Sequence, residues 1–141
     1  MKPVEIALQG AGRFPELAPA RLRRWLEELL GAAAPGVASL GVRFTGDRTM
    51  RQLNRRFRRR DRTTDVLSFP GARSPEGWHV GDIVVSVPAA RRQAASREHP
   101  VDREVRLLLL HGLLHCLGHD HETDDGAMAR LERRLRRRWV R

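Results

Sequence analysis

Alternating apolar residues at the start of the chain, helix-period stripes after them, and a last third that is helical throughout predict one compact α/β domain. Its make-up is α+β-like: a small mixed sheet of about four strands, packed with helices and closed by a buried histidine-bearing helix and a C-terminal helix. Across 141 residues there is no repeat, low-complexity linker or shift in composition, so residues 1–141 read as a single domain.

The elements follow in order. Val4, Ile6 and Leu8 alternate with polar or small residues and predict a first strand. Pro19 suits the first turn of a helix, in which Leu22, Trp25, Leu26, Leu29 and Leu30 form one face, ending near Gly31 with Pro35-Gly36 as the turn. Leu40, Val42 and Phe44 make a second strand. Asp47 can then cap a short helix with apolar positions Met50, Leu53 and Phe57. A basic loop, Arg58 to Arg62, leads to a strand from about Asp65 to Phe69; Pro70, Gly71, Pro75 and Gly77 read as a turn. Asp82 to Val87 gives another strand, stopped by Pro88. Three helices remain, at about Ala89–Arg97, at about Asp102–Leu117 and at the C-terminus, where Met128, Leu131, Leu135 and Trp139 line up among arginines.

The apolar fraction of 40% and charged fraction of 31% suit a globular protein with a real core. Cys116 is the only cysteine, which excludes an internal disulfide and suits a reducing compartment. The N-terminus lacks the apolar stretch of a signal peptide, and no apolar run approaches the length of a membrane span. A cytoplasmic protein without a membrane partner is expected. The formal charge is +10, and Lys2 is the only lysine among 27 basic residues. Arginine grips phosphate through a planar fork, so the excess favours a polyanionic partner; an arginine-for-lysine bias of the genome is the plainer source of the choice of arginine, and explains less of the net positive charge.

The chemistry concentrates in His111-Gly112-Leu113-Leu114-His115-Cys116-Leu117-Gly118-His119-Asp120-His121. Residues four apart share a helix face, so His111 and His115 can aim ring nitrogens at one ion. Gly118 can take the left-handed conformation that ends a helix, and His121 then returns as a third ligand. Three neutral imidazoles suit one zinc ion and leave its fourth position for water. His119 is a conceivable further ligand. Cys116 points away around the helix and reads as a core thiol, while His79 and His99 read as ordinary surface residues.

The spacing His-x-x-x-His-x-x-Gly-x-x-His resembles the zinc helix of metzincin proteases, whose first histidine is followed by a catalytic glutamate; here that position is Gly112. The fuller string is similar to the His-Gly-x-Leu-His-x-x-Gly-x-Asp-His pattern of the YbeY family of bacterial endoribonucleases. Further matches are Leu53-Asn54, Phe57-Arg58, Thr64-Asp65-Val66-Leu67-Ser68-Phe69-Pro70 and Gly81-Asp82-Ile83-Val84-Val85-Ser86, in the family's order over about residues 47 to 125, more than half the chain. The resemblance implies zinc on His111, His115 and His121, and a functional arginine at Arg58. It departs from the family at Arg59, where glycine is usual, and at His119, where an aromatic residue is common.

What the resemblance implies is a zinc-dependent, single-strand-specific endoribonuclease acting in maturation of the 16S rRNA 3′ end and in ribosome quality control, with the small subunit or assembly factors as partners. Arg58 supplements a single metal ion as a phosphate clamp. Asp120 can accept an imidazole N–H or a proton, or cap a helix end. Arg55, Arg56, Arg59, Arg60 and Arg62 are candidate RNA contacts, and a second basic cluster from Arg130 to Arg141 reads as a solvated helix face. With 5% aromatics and no tyrosine, the chain lacks the stacking platform of a sequence-reading RNA module. Two other readings are a metzincin-like metalloprotease, weakened by Gly112, and a non-enzymatic RNA-binding assembly factor with structural zinc.

Overall fold

The computed structural model describes residues 3–119 and 125–140. Four strands and five α-helices follow in the order β1 (Glu5–Gln9), α1 (Pro19–Ala33), β2 (Ser39–Thr45), α2 (Asp47–Arg58), β3 (Val66–Ser74), β4 (Gly77–Ser86), α3 (Val87–Arg97), α4 (Val101–Cys116) and α5 (Ala127–Trp139). The sheet is mixed, ordered β1-β2-β4-β3. Strands β1, β2 and β4 are parallel neighbours, and β3 runs antiparallel to β4 along the edge. The predicted α/β class, with a small mixed sheet of four strands, stands.

Helix α1 buries Leu22, Trp25, Leu26, Leu29 and Leu30, the stripe that helical period selects. These residues join Val42, Phe44, Ile83 and Val85 of the sheet and Leu109, Leu110 and Leu113 of α4 in one core. Trp25 also donates its indole N–H to the Trp139 carbonyl at 2.7 Å, tying the C-terminal helix to α1. Successive strand residues face opposite ways. Val84 and Leu67 therefore meet Met50 of α2 in a separate, smaller cluster, while Ile83 faces α4. The sheet thus lies between α4 and α2.

Several local expectations change. The β3–β4 arms run through Pro70 and Gly71, leaving only Pro75 and Glu76 as the turn. Proline is tolerated there because β3 is an edge strand, whose outward side needs no N–H donor. Helix α1 continues past Gly31 to Ala33. Gly46 is the N-cap of α2, and Asp47 does other work. Its carboxylate accepts the Ser86 hydroxyl at 2.8 Å and the Arg92 guanidinium at 2.8 Å, and that guanidinium, with the hydroxyl, holds the Asp47 carboxyl below its usual range. His99 is no surface residue: its side chain is 17% exposed and bonds the buried Glu104 at 2.8 Å, beside an Arg97 bridge. His79 is half-exposed, bonded to the Ser39 hydroxyl and the Asp82 carboxylate.

Candidate metal and phosphate site

The site begins with how closely α4 approaches the sheet. A Cβ built on Gly112 would stand 2.9 Å from Ile83 Cγ2 and 2.9 Å from Ser68 Oγ. Only glycine lets the helix come so near β3 and β4, and the adjoining His111 is thereby set against the edge strand. Gly112 therefore has a structural task beyond lacking a glutamate. A side chain at this position would force the buried Ile83 and Ser68 side chains, or the helix itself, to shift.

His111 and His115, one turn apart, place their Nε2 atoms 3.2 Å from each other, with ring centroids at 4.7 Å. Two nitrogens on a tetrahedral zinc at about 2.0–2.1 Å each lie about 3.3 Å apart. The described pair therefore fits two legs of such a site. His111 Nδ1 donates to Glu132 of α5 at 3.1 Å from Oε1 and 3.4 Å from Oε2, which fixes the ring and leaves the lone pair at Nε2. Glu132 is the one acidic residue within α5. That solitary charge in an arginine run is the signal by which sequence reading could have found it.

His121 and Asp120 lie outside the described residues. Among the described residues, no three His, Cys, Asp or Glu side chains form a metal-holding group, so His119 does not join His111 and His115 in one. Gly118 has φ 96°, the left-handed turn expected after the helix, and His119 donates its backbone N–H to the Leu114 carbonyl. Cys116 is buried, and burial pushes its thiol up to about 11, with the Asp82 charge adding to the effect. It is a core thiol.

The two imidazoles stand in a cleft of about 580 Å³ whose wall includes Arg58, Arg60, Arg62, Thr63 and Thr64. Arg58 donates one N–H to the Ser68 carbonyl of β3 at 2.8 Å and lies over the Phe69 ring at 5.9 Å. The basic loop is braced from below by Asn54, only 4% exposed, which donates to the Arg62 carbonyl at 2.9 Å while its own carbonyl accepts the N–H of Arg59 and Arg60. An Arg51–Asp61 bridge at 2.9 Å adds a surface tie. Arg59 ends α2 at φ 57° and ψ 33°, a left-handed conformation that explains why glycine is usual there. Arg55, Arg56 and Arg59 are exposed and do not line the cleft.

A metal-compatible histidine pair facing an arginine-lined cleft is the arrangement that the sequence motifs anticipate. The family of Endoribonuclease YbeY matches residues 13–139. The chain belongs to the YbeY endoribonuclease family. It is 46% identical over 124 residues to Endoribonuclease YbeY of Solibacter usitatus, covering 84% of this chain and 81% of that protein. It is 41% identical to the YbeY of a Picosynechococcus species, covering 94% of this chain and 93% of its relative. The fold is similar to a solution structure from Thermotoga maritima, with a TM-score of 0.64 at 28% identity over 92% of this chain and 85% of that one.

Proposed function

We propose that this YbeY chain is a zinc-dependent endoribonuclease that cuts single-stranded RNA in its arginine-walled cleft. The observation that carries the reading is the convergence of the His111 and His115 Nε2 atoms, 3.2 Å apart, in the same cleft as Arg58. Family membership supplies the reaction class. His121 is proposed as the third ligand, so that one ion is held by three imidazoles. When bound, zinc supplies a Lewis acid and lowers the pKa of a coordinated water.

The protein's own residues do the remaining work. Glu132 holds the His111 ring in the orientation and tautomer that ligation needs. Arg58, anchored on Ser68, presents further N–H donors to a phosphate and neutralises charge as it builds on the phosphoryl oxygens. Arg60 and Arg62, which line the cleft, would follow the RNA backbone, and the exposed Arg55, Arg56 and Arg59 add to the positive field of the same segment. Asp120 is proposed to accept a proton. Ribosomal RNA as substrate, the small subunit as partner and the cytoplasm as workplace belong to the same proposal. Among the described residues, no helix is long and apolar enough to cross a membrane.

The protease reading loses further ground, because the packing at Gly112 leaves no room for the glutamate that it needs. The test is cleavage of labelled single-stranded RNA and of a casein substrate by zinc-loaded protein, with His115→Ala and Arg58→Ala alongside. The expected result is RNA cleavage only, lost with metal binding in His115→Ala, and slowed at full zinc content in Arg58→Ala. RNA cleavage that His115→Ala leaves unchanged overturns the proposal.

A further inference from the structure

We propose that Phe57 is a stacking platform for an unpaired base next to the phosphate held by Arg58. This rests on the reading of the cleft as an RNA site. Along α2 the apolar stripe runs Met50, Leu53, Phe57, and the first of these is completely buried. The stripe outlasts the core. Phe57 is 53% exposed, the only exposed large apolar side chain among the described residues.

Its ring is held firmly for a group in water. It stands edge-on against Phe69 at 5.3 Å between centroids and 72° between planes, and Phe69 packs on the Met50, Leu67 and Val84 cluster. The Arg56 guanidinium sits 5.2 Å from the Phe57 centroid, and the Arg58 guanidinium lies 5.9 Å from the Phe69 centroid. Two linked aromatic rings are thus flanked by two cations, and one of those cations lines the cleft with the histidines. Single-stranded nucleic acid is bound by this combination, cations taking the backbone and a ring taking the base. The surrounding positive charge selects this polyanion over an apolar protein surface. A ring that must reach a base face is useful only when the base is unpaired, so the platform would enforce preference for single strands. The chain thus carries, in two phenylalanines, part of a stacking surface that an aromatic content of 5% does not suggest.

The experiment measures fluorescence anisotropy of a labelled single-stranded RNA with the zinc-loaded full chain, and checks RNA integrity on gels. The same RNA with one abasic position, stepped along its length, is the second probe. Wild type is expected to lose about 5- to 150-fold in affinity at one abasic position. Phe57→Ala should bind intact RNA with the same loss and be insensitive to that abasic position. Phe57→Leu, which keeps an apolar contact with Phe69 but has no π-face, should behave like alanine; Phe57→Trp should restore binding. Equal affinity of wild type and Phe57→Ala, or equal losses by Phe57→Ala on intact and on every abasic RNA, overturns the platform. If wild type cuts RNA and Phe57→Ala cuts it with unchanged KM, the endoribonuclease reading stands and the platform falls. Absence of RNA binding by wild type overturns both. A dimer that Phe57→Ala dissolves at unchanged RNA affinity assigns the ring to a second copy of the chain and overturns the platform.

Discussion

Removing the carboxylate behind His111 gives the sharpest test of the proposed metal site. Glu132 accepts the Nδ1–H of His111 at 3.1 Å, with side chains 18% and 29% exposed, so water competes only in part. A hydrogen bond to a charged group contributes about 1.5–3 kcal/mol net, and each 1.4 kcal/mol is about tenfold in an equilibrium constant. Glu132→Ala should therefore weaken zinc binding about 10- to 100-fold, the range usual for partners of ligating histidines. Glu132→Gln keeps an acceptor oxygen and loses the charge, which accounts for about half of such a bond. A loss of about 3- to 12-fold follows. The assay is competition for zinc against a chromophoric chelator at fixed pH, with thermal melts of the zinc-free proteins to confirm equal folding. Zinc affinities within about twofold of wild type for both variants would show that Glu132 does not position the ligand.

Three other outcomes follow from geometry. Arg59→Gly relieves a left-handed residue, worth about 1–2 kcal/mol, against about 0.5–1 kcal/mol of added chain freedom; a melting point raised by about 2–4 °C is expected, and no rise refutes the strain. Gly112→Ala in a helix interior should gain about 1 kcal/mol by propensity, but overpacking against buried Ile83 and Ser68 costs about 1–3 kcal/mol. A lowered melting point is expected, with Gly112→Glu failing to fold stably, and a raised one contradicts the packing. Cys116, with its thiol pushed up to about 11, should resist alkylation at pH 8 in the native chain and react once urea exposes it. Because its folded pKa lies above its ordinary value of 9.0, the unfolded chain sheds the proton first, and stability should decline as pH rises from about 9 to about 11; urea titrations of wild type and Cys116→Ala would show whether that decline belongs to the thiol.

Elements whose period sets one face against a core were legible: α1 and α4 fall where their leucines place them. The i, i+4 spacing likewise anticipated the paired imidazoles, because helix geometry alone brings them together. What depended on other parts of the chain was hidden. Glu132 stands out as the lone acid of an arginine-rich helix, but that it meets His111 on another helix is set by packing and by no local pattern. Phe57 reads as core by helical period, but it meets Phe69 of the edge strand β3 and stays half exposed. Pro70 and Gly71 read as a turn because their tolerance depends on β3 lying at an edge, and the strand order is set by tertiary packing. Gly112 was noticed for the side chain it lacks; its use emerged only from the surface pressed against it.

The hydrogen bond from Arg58 to the Ser68 carbonyl has a consequence for solubility. Strand β3 is the sheet's outer strand beside the cleft, and an outer strand's unpaired backbone groups invite a strand from another molecule. Arg58 occupies one of those acceptors with a charged head, and Pro70 interrupts the row two residues on. The side chain proposed to grip phosphate is thus also a guard against self-association, so Arg58→Ala should aggregate at high protein concentration sooner than wild type. Selection on either duty would preserve the same arginine.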